Sequence, residues 1–155
     1  MIRYLADVPE VIAVLAEAFY SDGFAHPDDL SVEAVATRLR EGAQRAALPL
    51  ALVALDESRV QGTAALRWDS ITSRPALGPW LAALYVMPGC RRRGVGGQLV
   101  CAIEDVARRL GFGTLYAGTH TAESLLCRLK WIEVERLDHG GAPLGIFRRD
   151  LASAA

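Results

Sequence analysis

Apolar residues recur along this chain with two different periods, and the alternation between them outlines the fold. Val8, Ile12, Leu15 and Phe19 follow at spacings of four, three and four behind Asp7 and Glu10, which predicts a first helix opened by a capping box. A second helix is expected from Ser31, with Val32, Val35 and Leu39 turned inward and Arg38, Arg40 and Glu41 outward, fading after Gly42. "LALVAL" and "VQGTAALRW" flank the polar turn "DESR" and read as a β-hairpin, and "WLAALYV", unbroken by any polar residue, reads as a buried central strand that stops at Pro88. Leu99, Ile103, Val106 and Leu110 then restore helical spacing, with Glu104–Arg108 and Asp105–Arg109 expected as i,i+4 pairs on the solvent side and Gly111 as the stop. The remainder divides into a strand "TLYAG", a short helix "AESLLCRLK", and strands "IEVERL" and "LGIFRRDL" across the turn "DHGGAP". Helices and strands are interleaved without a repeat or a low-complexity linker, so the expectation is one mixed α/β domain over residues 1–155.

Charge narrows the partners. Seventeen Lys and Arg against eighteen Asp and Glu leave a net charge of −1, which is no basis for an extended nucleic-acid surface. Cys90, Cys101 and Cys127 are an odd set without CxxC spacing or a companion histidine pattern, so neither a disulfide framework nor a bound metal is expected. The apolar N-terminal run is interrupted by Arg3, Asp7, Pro9, Glu10 and Glu17, so no signal peptide or membrane span is expected either. These absences and the unpaired thiols give a cytoplasmic protein as the expectation.

Against that neutral background, Arg91, Arg92 and Arg93 stand together before Gly94, Gly96 and Gly97, between the central strand and the amphipathic helix. A strand that turns through glycines into a helix presents unpaired backbone N–H groups at the positive end of the helix dipole, which suits a phosphate or pyrophosphate. Gly89 and Gly94 have the first spacing of a P-loop, but Val95 and Gly96 stand where Lys and Ser/Thr are needed. The dinucleotide fingerprint fails at Leu99, which holds its last glycine position. What remains is R-x-x-G-x-G, as Arg91, Gly94 and Gly96, behind "LYV" and Pro88.

With "WLAALYVMPGCRRRGVGGQLVCAIEDVARRLGF" as its core, the chain resembles the GCN5-related N-acetyltransferase family, and the order of expected elements extends the likeness over nearly its whole length. The resemblance implies a mostly antiparallel, partly V-shaped sheet flanked by helices, and acetyl-CoA as cosubstrate. It implies that Tyr85 and Val86 meet the pantetheine arm and thioester, with the Val86 N–H polarising the carbonyl. Arg91, Arg92, Arg93, Gly94, Val95, Gly96 and Gly97 would meet the phosphates, and Thr119 stands at the position of a family asparagine near the cofactor. The family's proton-donating tyrosine has no counterpart: Leu126 occupies its position, and Lys130 that of a common glycine before Trp131.

The remaining chemistry is open in the sequence. His120, close to a strand end, has an intrinsic pKa suited to relaying a proton, though a plain loop or capping residue is the more ordinary reading. Phe24 and His26 fall in the loop between the first two helices, where the family forms its acceptor pocket. Asp22 and Asp69 are further acids, Trp80 is core or pocket wall, and Cys127 reads as a small buried apolar residue rather than a nucleophile. The expectation is direct acetyl transfer to a primary amine of a small molecule or peptide, with a catalytically inactive CoA-binding domain as the alternative. No nucleic-acid or membrane partner is expected, and an exposed C-terminal strand edge is where a homodimer would form.

Overall fold

The computed structural model describes residues 1–151. Seven strands form one sheet in the order β1-β2-β3-β4-β5-β7-β6. They are β1 (Ile2–Tyr4), β2 (Leu50–Asp56), β3 (Arg59–Arg67), β4 (Trp80–Val86), β5 (Thr114–Thr119), β6 (Ile132–His139) and β7 (Ala142–Asp150). The helices are α1 (Ile12–Ser21), α2 (Val32–Glu41), α3 (Val95–Arg109) and α4 (Glu123–Arg128). The mixed α/β fold expected from the sequence is thus realised, with β4 in the middle of the sheet. Every pairing is antiparallel except that of β4 with β5, which α3 connects as a crossover.

Two apolar layers clamp the sheet. On one face Leu99, Ile103, Val106 and Ala107 of α3, with Leu126 of α4, pack on Leu50, Leu52, Leu66 and Leu81. On the other, Leu15, Ala16 and Phe19 of α1 and Val35 of α2 pack on Ala51, Val53, Ala65 and Tyr85. Alternation along the strands produces this division: Leu52 and Val53 are both buried, but on opposite faces.

Local capping follows the sequence at some ends and departs at others. The Ser31 hydroxyl accepts from Ala34 N at 3.1 Å and opens α2 as expected. The capping box at α1 does not form: residues 5–7 and 9–11 are 3₁₀ turns, α1 starts at Ile12, and the Asp7 carboxylate is paired with Arg45 instead. Val8, Ile12, Leu15 and Phe19 nevertheless share a buried face. Pairing of β1 with β2 recruits a strand that the short segment Ile2–Tyr4 does not announce. The β6–β7 hairpin turns through Gly140 (φ 62°) and Gly141 (φ 82°), the positive-φ pair demanded by a two-residue turn.

The solvent-side placement of Glu104 is corrected. It is 5 % exposed, accepts from Trp131 Nε1 at 3.1 Å, and lies 3.5 Å from both Arg108 and Arg149. Periodicity puts Glu104 one residue beyond the apolar stripe, and the indole of Trp131 together with Arg149 of β7 closes over it. Asp105 pairs with Arg108 at 2.9 Å, not with Arg109, which donates to the Tyr4 hydroxyl at 3.4 Å. Gly111 ends α3 with φ 92°, as its position predicts. After α4, Lys130 takes the same left-handed role with φ 73°, a conformation that favours glycine.

Candidate active site

The central pair of strands diverges. β4 and β5 pair only at Trp80–Tyr116 and Leu81–Ala117, and beyond these the strands form no further pairs. Two features of β4 accompany the split. Ala83 has φ 52°, and the register against β3 shifts between Thr63 and Ala65, so Ala64 faces two residues of β4: a β-bulge. At the strand end, Met87 N donates to Gln61 O at 2.8 Å, and antiparallel alternation therefore turns the N–H and C=O of Val86 away from β3 and into the split. An extended chain with amide groups can dock on that free edge as an added strand would.

At the mouth of the split the chain passes through Pro88–Cys90 and the arginines into α3. Arg92 (φ 65°) and Gly94 (φ 81°) are both left-handed, which curls the turn so that its amides converge. The first intrahelical bond runs from Gln98 N to Gly94 O at 3.1 Å, leaving the N–H groups of Val95, Gly96 and Gly97 at the helix end. No side chain caps them and no acidic residue stands in the first turn. A Cβ on Gly94 would meet nothing within 4 Å, so the approach to these amides is open. The donor set fits a pyrophosphate: unspent N–H groups, the positive end of a fifteen-residue helix, and Arg92 and Arg93 exposed alongside. Gly96 is constrained from the other side, since its Cβ would lie 3.3 Å from Leu125 Cδ2 of α4 and 3.7 Å from Val86 Cγ2.

Arg91 is placed differently from its two neighbours. Its Nε donates to Val86 O at 3.0 Å, its Nη2 to Asp22 Oδ2 at 3.2 Å, and its guanidinium lies 5.7 Å from the centre of the Tyr85 ring. Tyr85 donates its hydroxyl to the same Asp22 oxygen at 3.0 Å, and burial, reinforced by that carboxylate, pushes the phenol above its ordinary pKa. This network ties the end of α1 to the end of β4 and fixes the direction in which the Val86 peptide faces.

On the α1/α2 face of β4 lies a cavity of about 390 Å³. Its floor is made of small residues, Ala51 and Ala65 with Ala82 and Ala83 at the bulge, and Phe19, Phe24, Val35 and Leu39 form an apolar wall. Phe24 and His26 thus come together in it, with Phe24 stacked among Phe19 and Tyr85 at centroid distances of 4.9 Å to each. His26 accepts from Asp28 N through Nδ1 at 3.1 Å, which leaves its Nε2 as the site of the proton when neutral. Four charged side chains also line the cavity: Asp29, Arg38, Arg67 and Asp69. Arg38 grips Asp29 with a fork of 2.6 and 3.0 Å, and this hydrogen-bonded charge holds the Asp29 carboxyl below its usual range.

Thr119 and His120 sit on the opposite arm of the split, at the end of β5. The Thr119 hydroxyl accepts from Thr121 N at 3.1 Å and Ala122 N at 2.8 Å, so it organises the entry to α4. His120 Nδ1 is 2.8 Å from the Pro143 carbonyl, which can only accept, so Nδ1 carries the proton and Nε2 is free. His120 does not line the cavity. Leu126 is 1 % exposed and packs in the α3 core, so the position of the family tyrosine supplies no proton here. Cys127, expected to be buried, is exposed.

Sequence reasoning missed Asp29, Arg38 and Arg67 as cavity residues, since each reads there as an ordinary loop, helix or strand charge. The one available signal was negative: alanines at the inward positions 51, 65, 82 and 83 leave room that larger core residues would fill.

Comparison with known proteins agrees with this architecture. An aminoglycoside 6'-N-acetyltransferase complexed with coenzyme A superposes with a TM-score of 0.76 at 15 % identity, covering 100 % of this chain and 99 % of that one. The yncA protein of Salmonella typhimurium, solved with its cofactor acetyl-CoA, gives 0.76 at 18 % identity, covering 100 % and 95 %. An N-acetyltransferase from Staphylococcus aureus Mu50 gives 0.75 at 18 %, covering 98 % of each. No curated protein sequence matches the chain significantly. Among the described residues no helix is long and apolar enough to cross a membrane. The sequence model of the acetyltransferase (GNAT) family matches residues 10–128, a span that takes in the split strands, the glycine turn and the cavity, and the chain belongs to that family.

Proposed function

We propose that the protein is an acetyl-CoA-dependent N-acetyltransferase that moves an acetyl group directly to a primary amine held in the 390 Å³ cavity. The observation that carries the reading is the junction of two sites at one strand: uncapped amides of Val95, Gly96 and Gly97 on one side of β4, and a cavity floored by Ala82 and Ala83 on the other. The acetyl thioester supplies an activated acyl group. Val95, Gly96 and Gly97, with Arg92 and Arg93, hold the phosphates. Val86, whose backbone groups turn into the split and whose carbonyl is tethered by Arg91, offers its N–H to the thioester carbonyl, where charge develops during attack. The new N–C bond forms as the C–S bond breaks, the amine proton leaves through water, and the thiolate takes up a proton. Phe24, His26 and the alanine floor position the acceptor and exclude bulk water.

Aminoglycosides, the acceptors named for one structural neighbour, are polycations, and a pocket for them calls for an excess of carboxylates. Here Arg38 and Arg67 balance Asp29 and Asp69, which favours a smaller acceptor of lower positive charge. One observation favours a second reading, a CoA-binding domain without catalysis: Leu126 is sealed in the core where the family places its acid. Calorimetric titration with acetyl-CoA and CoA, with a nicotinamide dinucleotide as control, followed by a thiol-release assay over an amine panel, tests both. Selective binding of the CoA species with amine-dependent thiol release supports the transferase. Binding without release against any amine supports the second reading, and absence of binding to folded protein removes both.

A further inference from the structure

The charges that line the cavity are not equivalent, and the difference points to what the acceptor carries. Asp29 and Arg38 saturate each other through the two-bond fork described above, with the Asp29 side chain only 9 % exposed. Neither Arg67 nor Asp69 has a hydrogen-bond or ion-pair partner among the described residues, but Asp69 is exposed, whereas Arg67 is half-buried on a strand whose inward side chains, Thr63, Ala65 and Arg67, all face the cavity. Ala65 pairs with Ala82 beside the bulge, and Arg67 lies one side-chain repeat further along β3, about 7 Å away. A guanidinium there can reach back over the alanine floor toward the acyl-transfer point. It is a planar, permanently charged donor with no partner of its own to satisfy it.

We propose that the acceptor is a small amino-carboxylate with an apolar body: its carboxylate is received by Arg67, its amine lies over Ala82 and Ala83, and its apolar part packs on Phe24, Val35 and Leu39. This rests on the N-acetyltransferase reading and specifies its substrate class. The alternative class, amines bearing several positive charges, would bring surplus ammonium groups toward Arg38 and Arg67.

The test is thiol release at saturating acetyl-CoA with apolar amino acids, their amides and methyl esters, and spermidine. Amides and esters have the less basic amines, hence more of the nucleophilic free base at neutral pH, so a preference for the free acids opposes intrinsic reactivity and must come from the protein. Free acids are expected to exceed their amides by about 10- to 100-fold in kcat/KM, the range for a hydrogen bond between charged groups. Arg67→Gln is expected to shrink that ratio to within about threefold, and Arg67→Lys to retain part of it, with acetyl-CoA affinity checked calorimetrically in each variant. Amides or spermidine used as well as the free acids, or a preference for acids that survives Arg67→Gln, overturns the inference and leaves the transferase reading standing. Absence of amine-dependent thiol release with every amine tested, despite acetyl-CoA binding, overturns the transferase reading and the inference with it.

Discussion

Replacing Gly96 by aspartate separates the phosphate site from the fold. Gly96 is the second residue of α3, and its φ lies outside the left-handed range, so an L side chain is tolerated by the backbone. The new Cβ meets Leu125 Cδ2 at 3.3 Å, a contact with the end of a flexible side chain that shifts by a few tenths of an ångström, and Val86 Cγ2 at 3.7 Å. An aspartate in the first helical turn accepts from the free amides and gains about 0.3–1 kcal/mol from the helix dipole, so folding stability is held or raised. The ligand's phosphates face the opposite consequence. Two unit charges about 4 Å apart repel by about 1 kcal/mol in bulk water and about 4 kcal/mol at the effective dielectric of a protein surface. A loss of about 2–4 kcal/mol follows, equivalent to roughly 30- to 1,000-fold weaker CoA binding. The assay is calorimetric titration with CoA beside a thermal melt, with Gly96→Asn as the uncharged control and the Asp penalty shrinking at high salt. A Gly96→Asp protein that melts at or above the wild-type Tm and binds CoA within about threefold of wild type would refute the placement of phosphates at this helix end.

Three further outcomes follow from particular contacts. Lys130→Gly relieves a left-handed φ of 73° and is expected to stabilise the fold by about 0.5–1 kcal/mol, raising Tm by about 1–4 °C; an unchanged or lower Tm counts against strain at this cap. Glu104→Gln leaves the guanidinium groups of Arg108 and Arg149 beside a neutral amide. Both arginines are partly solvated, so the loss is about 2 kcal/mol, a fall in Tm of about 4–8 °C with a change in Trp131 fluorescence; a neutral result refutes the bridging role. Arg38→Gln removes the partner that lowers the Asp29 pKa. Because the folded-state value is depressed, the stabilisation is fully present above the ordinary aspartate pKa of about 4 and is lost as pH falls through the folded value. The urea midpoints of wild type and variant should therefore differ steadily from neutrality to about pH 5 and converge below about pH 4; an equal gap at both ends removes the pair's electrostatic contribution.

The sequence by itself determined the elements whose signals are local. Leu99, Ile103 and Val106 at helical spacing could only bury one face of α3, an uninterrupted run such as "WLAALYV" is stable only with both sides covered, and Gly94, Gly96 and Gly97 leave the helix start free for an anion. These depend on neighbours a few residues away, and so the family and its glycine turn were legible from the chain alone. Tertiary structure decided what depends on distant partners. Whether Glu104 was solvated rested on Trp131 and Arg149, and whether Arg91 faced the phosphates or the Val86 carbonyl rested on Asp22, in another helix. The cavity likewise exists only because alanines from β2, β3 and β4 meet under α1 and α2, and Arg67 lines it without a partner only because the fold brings no carboxylate within reach of it there. Hydrophobic periodicity is written along the chain, whereas the pairing of charges is settled by which surfaces the fold brings within hydrogen-bonding reach.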